Sequence, residues 1–66
     1  MMTETEFRRM VAEFLFSESA RAWPDLRAVG PVMYDETREL WAQNAEYDGG
    51  EALLILSHGK IYVVDD

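Results

Sequence analysis

The sequence predicts an α+β domain: an N-terminal amphipathic helix, a short connector helix, a second acidic helix and a C-terminal antiparallel β-hairpin. Three observations carry this. Residues 52–56 (ALLIL) and 61–64 (IYVV) are the most apolar and β-branched stretches, and a Ser-His-Gly-Lys turn separates them. Phe7, Met10, Val11, Phe14 and Leu15 recur at helical spacing. With 66 residues, the chain has room for one domain, residues 1–66, and one small core.

The first helix begins at Thr3, which pairs with Glu6 as a capping box. Glu4 and Glu6 suit the positive end of the helix dipole. Arg8, Arg9 and Glu13 fall off the apolar stripe, and Phe16 lies to its side as a partly exposed aromatic. The helix should fade by Arg21 or Ala22, because Pro24 disfavours helical geometry at Trp23. A single connector turn is expected to start at Pro24 and to end at Gly30-Pro31, anchored by Trp23, Leu26 and Val29.

Residues 32–34 read as a short extended piece. Asp35 is a fair N-cap for a helix from Glu36 to about Tyr47, closed by Asp48-Gly49-Gly50. On that helix Thr37, Leu40, Trp41, Asn44 and Ala45 share one face, and Glu36, Glu39, Gln43 and Glu46 share the other. The alternative is a second hairpin from residues 32–45, giving one helix packed on a four-stranded antiparallel sheet. Glu, Gln, Asn and Ala are poor strand formers, which favours the helix.

The C-terminal hairpin turns at His58-Gly59, where a type I′ turn needs positive φ twice. This register pairs Ser57 with Lys60, Leu56 with Ile61, Ile55 with Tyr62, Leu54 with Val63 and Leu53 with Val64. Leu54, Leu56, Ile61 and Val63 then share one face; Leu53, Ile55, Tyr62 and Val64 share the other. Both faces are apolar. The expected core is Phe7, Met10, Val11, Phe14, Leu15, Leu26, Leu40, Trp41, Leu54, Leu56, Ile61 and Val63. The edge formed by Ile61, Tyr62, Val63 and Val64 is expected to pair with a second copy or with a partner, because free strand edges template pairing.

Thirteen acids against six bases give a net charge of −7. Residues 1–33 hold five acids and four arginines, net −1; residues 34–66 hold eight acids against Arg38 and Lys60, net −6. Such a surface repels nucleic acid and anionic lipid. Acidic surfaces also serve solubility alone. No apolar run approaches the roughly 20 residues of a membrane span, the N-terminus lacks a basic signal region, and cysteine is absent. A cytoplasmic location is the expectation.

The residues for chemistry are sparse. A single histidine and no cysteine do not make a zinc site. No phosphate-binding glycine loop or calcium loop is present. Ser57 and His58 are neighbours in sequence, and strand alternation would point them to opposite faces. The chain is therefore expected to be non-enzymatic, with no cofactor and no metal.

Binding is the remaining expectation. Asp35, Glu36, Glu39, Gln43, Glu46, Asp48 and Glu51 form the expected partner-binding set, a row of carboxylates that imitates phosphates and fits a basic surface. In size, acidity and lack of catalytic groups the chain resembles nucleic-acid-mimicking inhibitors, among them small phage proteins that block restriction or CRISPR complexes. The partner would be a nucleic-acid-handling protein with a basic surface, with no direct nucleic-acid or membrane binding. The alternative is an antitoxin or immunity-type protein that caps a toxin.

Overall fold

The computed structural model of the chain describes residues 3–65. Helix α1 (Glu4–Leu15) leads through a 3-10 turn (Glu18–Ala22) into four strands: β1 (Arg27–Asp35), β2 (Leu40–Tyr47), β3 (Gly50–Ser57) and β4 (Lys60–Asp65). The strands form one antiparallel sheet in the order β1-β2-β3-β4, each paired with its neighbour in sequence. The α+β class holds, in the form of one helix on a four-stranded sheet. The second acidic helix is replaced by strands.

Thr3 caps α1 by accepting the Glu6 amide on its hydroxyl at 3.2 Å. The helix stops at Leu15, six residues before the expected end. The Ser17 hydroxyl donates to the Phe14 carbonyl at 2.6 Å and the Ser17 amide donates to the same carbonyl at 2.9 Å. A serine that bonds the local backbone this way competes with helix propagation. The connector turn consequently lies before Trp23, not after Pro24.

One face of the sheet meets α1. Phe7 and Leu54 are fully buried there, with Val11, Ala45 and Leu56 beside them. Met10, Phe14, Leu15, Leu26, Trp41, Ile61 and Val63 pack around this centre. An aromatic line crosses the layer: Phe7 stacks on Trp41 at 6.2 Å, and Tyr34 meets Trp41 edge-on at 5.0 Å. Leu40 does not belong to this core. Strand alternation places it opposite Trp41, on the other face.

The β3–β4 hairpin has the expected register at every pair from Ser57↔Lys60 to Leu53↔Val64. His58 and Gly59 take φ of 52° and 76°, as a type I′ turn requires. The β1–β2 hairpin is less regular. Ala28 pairs with Ala45 and Val32 with Gln43, so four steps along β1 match two along β2. This bulge carries Gly30 at φ 75°. Because the excess is two residues, parity survives, and Ala28 and Val32 both face the core.

Gln43 explains why this segment read as helix. Its side chain is buried, 7% exposed, and its amide donates to the Gly30 carbonyl at 2.9 Å. A polar residue in a core-facing position is satisfied by the bulge opposite it. The pattern LWAQNAEY therefore lacks a clean apolar alternation although it is a strand. Asp48-Gly49-Gly50 is correspondingly a hairpin turn rather than a helix cap, and the Asp48 amide donates to the Pro24 carbonyl at 2.7 Å.

Candidate functional site

Charge on this molecule is sorted by the two ends of the sheet. At one end lie the start of β1, the β2–β3 turn and the end of β4. Arg27 pairs with Glu46, Glu46 with Glu51, and Ala52 with Asp65. The Asp48–Pro24 hydrogen bond draws Asp25 to the same place. Among the described residues this end gathers the five acids Asp25, Glu46, Asp48, Glu51 and Asp65, with Arg27 between Glu46 and Asp25 and Arg21 near Asp25.

Local structure fixes each member. Glu46 and Glu51 are directly opposed across β2 and β3, a cross-strand pair of like charges that costs stability. Arg27 relieves one side: its guanidinium reaches Glu46 at 3.3 Å and also donates to the Asp25 carbonyl at 3.1 Å. Glu51 has no ion-pair partner among the described residues. On the helix side of the sheet, the Tyr47 hydroxyl donates to Asp65 at 2.9 Å, and Trp23 packs edge-on against the Tyr47 ring at 5.1 Å. The Asp65 bond holds the phenol proton, and with partial desolvation and the nearby negative charge it raises the Tyr47 pKa.

The opposite end carries the β1–β2 loop and the His58-Gly59 turn. Asp35 closes the loop by accepting the amides of Thr37 at 2.9 Å and Arg38 at 3.0 Å, and it pairs with the Arg38 guanidinium at 3.2 Å. The Arg38 amide does most to hold the Asp35 carboxyl below the usual carboxylate range, against some desolvation. Glu36 and Glu39 are exposed beside it, with Glu39 at φ 56°.

The expected binding set is thus divided. Glu46, Asp48 and Glu51 come together; Asp35, Glu36 and Glu39 sit at the far end; Gln43 is buried between them. The single helical row of carboxylates does not exist, because a strand separates these residues along its length. Two acids of the cluster were missed. Asp65 was one step beyond the register already read for the hairpin. Asp25 gave no signal, since only the fold brings Pro24 beside Asp48.

The second surface feature is the sheet face turned away from α1. Met33, Ala42, Ile55 and Tyr62 cross it in one row, and Asn44, Leu53 and Val64 in the next. Met33, Tyr62 and Val64 are exposed, while small Ala42 is buried between Met33 and Ile55. The expected edge residues divide between faces: Tyr62 and Val64 lie here, Ile61 and Val63 against the helix. β4 remains an edge of the sheet.

Ser57 Oγ lies 3.0 Å from His58 Nδ1, closer than strand alternation implied. His58 is in the turn, where alternation does not apply. The pair is exposed, and no carboxylate bonds the histidine among the described residues, so the contact fastens the turn. Among the described residues no group of His, Cys, Asp and Glu is arranged to hold a metal, and no helix is long and apolar enough to cross a membrane. Comparison with known proteins finds no match among family models, curated proteins or solved structures.

Proposed function

We propose that the protein is a non-enzymatic, acidic binding module that inhibits a nucleic-acid-handling protein by occupying its basic surface. The observation that supports this reading is the acidic end of the sheet. Carboxylates from the β1 lead-in, the β2–β3 hairpin and the end of β4 converge there, and Arg27 pairs with one of them, Glu46. A rigid two-hairpin scaffold presents them with little ordering cost on binding. Fixed negative charge of this density draws a basic partner in by long-range attraction and fixes its orientation.

The two ends of the sheet supply an internal control. Glu46→Lys with Asp48→Lys and Glu36→Lys with Glu39→Lys change net charge equally, at opposite ends. Wild-type protein immobilised as bait should capture a basic partner from the source cell, and added DNA or RNA should displace it. The first double variant should lose capture and the second should retain it. Equal loss by both pairs would show that only net charge matters. Capture indifferent to nucleic acid would favour the toxin-capping alternative.

A further inference from the structure

We infer that the open face of the sheet is a self-association surface, on which a second copy stacks with its strands reversed. The inference stands independently of the acidic-end reading. Five charged residues lie on or at the border of this face: Arg27, Asp35, Glu46, Glu51 and Lys60. Arg27 and Glu46 pair with each other, and Asp35 pairs with Arg38. Among the described residues Glu51 and Lys60 are left without ion pairs. They are opposite in sign and sit at opposite ends of the β3–β4 hairpin, since Lys60 lies beside Ser57.

A two-fold axis perpendicular to the strands and passing over Leu54 exchanges these ends. It sets the level of Glu51 in one copy against that of Ser57 and Lys60 in the other. The remaining β-strand difference is one spacing of about 4.8 Å, and packed sheets are about 10 Å apart, which a lysine and a glutamate together span. The same axis sets Leu53 against Ile55 of the second copy, and Val64 against Tyr62. Apolar rows meet apolar rows, and two ion pairs close the ends. The alternative two-fold, parallel to the strands, stacks the Glu46–Glu51 pair on its own copy and is repelled.

The area sets the strength. Four strands of about six residues present a footprint on the order of 400 Å², with a depression between Val29, Asn44, Glu51 and Leu53. That is below the roughly 800 Å² per partner of a standard stable interface. The dimer is therefore weak and reversible. Its two acidic ends lie at opposite poles and remain accessible at Asp25, Asp48 and Asp65.

Sedimentation equilibrium on the full chain, up to about 1 mM, tests this. Ile55→Glu, on the open face, should abolish association. Glu51→Lys and Lys60→Glu should each weaken it about tenfold, because symmetry converts both ion pairs to repulsions at once. Glu51→Lys combined with Lys60→Glu should return to within about threefold of wild type, because the pairs re-form reversed. Circular dichroism melts report whether each variant is folded, and the two exposed charge variants keep the test valid should Ile55→Glu unfold. A monomer at 1 mM overturns the inference. So does a dimer that survives Ile55→Glu in folded form, which would place association at the β4 edge, or one that is indifferent to the charge reversals and their combination.

Discussion

The two hairpins of this sheet are built by different rules. β3–β4 is written in its side chains: apolar residues on both faces, a turn whose two residues take positive φ, and a register without irregularity. β1–β2 is held by particular devices: a bulge, a buried glutamine bonded to that bulge, and an aspartate that caps the loop. The difference teaches that periodicity reports a strand only where packing is its main support. Where polar bonds do the work, the pattern blurs toward helix.

The largest effect should come from the regular hairpin. Leu54 is fully buried on β3, and Leu54→Ala should cost about 2–5 kcal/mol. For a domain of this size that approaches the whole margin of stability. Urea unfolding measures it; a loss below about 1 kcal/mol would mean that β3 is not the centre of the core. The matching experiment on β2 is Gln43→Leu. It keeps the strand and removes the bond to Gly30, and should cost about 0.5–1.5 kcal/mol. A neutral result would show that the bulge carbonyl finds another partner and that the glutamine is not what holds this hairpin.

Glycine supplies a closer comparison. An added Cβ at Gly59 or at Gly30 meets nothing within 4 Å, so Gly→Ala at either position adds no folded-state clash and reads backbone strain less the unfolded-chain entropy that alanine removes. Each should cost about 1–2 kcal/mol, read from thermal melts. Unequal costs would show that the bulge, unlike the turn, can relax. Glu39, a non-glycine at φ 56°, should respond in the other direction. Glu39→Gly should stabilise by about 0.5 kcal/mol, relief of strain slightly exceeding the entropy glycine adds to the unfolded chain.

The smallest effect is electrostatic. The folded-state pKa of Asp35 is lowered, so its contribution is fully present above the ordinary carboxylate pKa and is lost as pH falls through the lower folded value. Asp35→Asn retains an acceptor for the loop amides but does not titrate. Stability profiles of wild type and variant should therefore differ at pH 7 and converge at strongly acid pH. Parallel profiles would show that the carboxylate charge contributes nothing to closing this loop.

Much of the fold was legible and some of the site was not, for the same physical reason. The α1 stripe, the Thr3 cap and the β3–β4 register rest on local periodicity and on residues whose chemistry admits few alternatives. Residues 36–47 were misread because Glu36 and Glu39 are loop residues, not one side of a helix, and because Gln43 occupies a core position. Once that segment is a strand, the acids that shared a predicted face separate to opposite ends. Glu46, Asp48 and Glu51 remained together because a tight turn joins them in sequence as well as in space. Asp25 joins them through a contact between the β1 lead-in and the β2–β3 turn, which no local pattern encodes.

The order of elements also has a kinetic consequence. Every strand pairs with the next along the chain, so the sheet assembles from short loop closures and should form quickly. The helix is different. Phe7 packs in a core with Leu54, 47 residues further on, and with Leu56. Until β3 forms, α1 has only part of its docking surface, Ala28 and Val32 on β1 with Trp41 and Ala45 on β2, and lacks the Leu54 centre. The apolar stripe of α1 therefore completes its burial only when β3 joins the sheet, which makes the helix the last piece to settle.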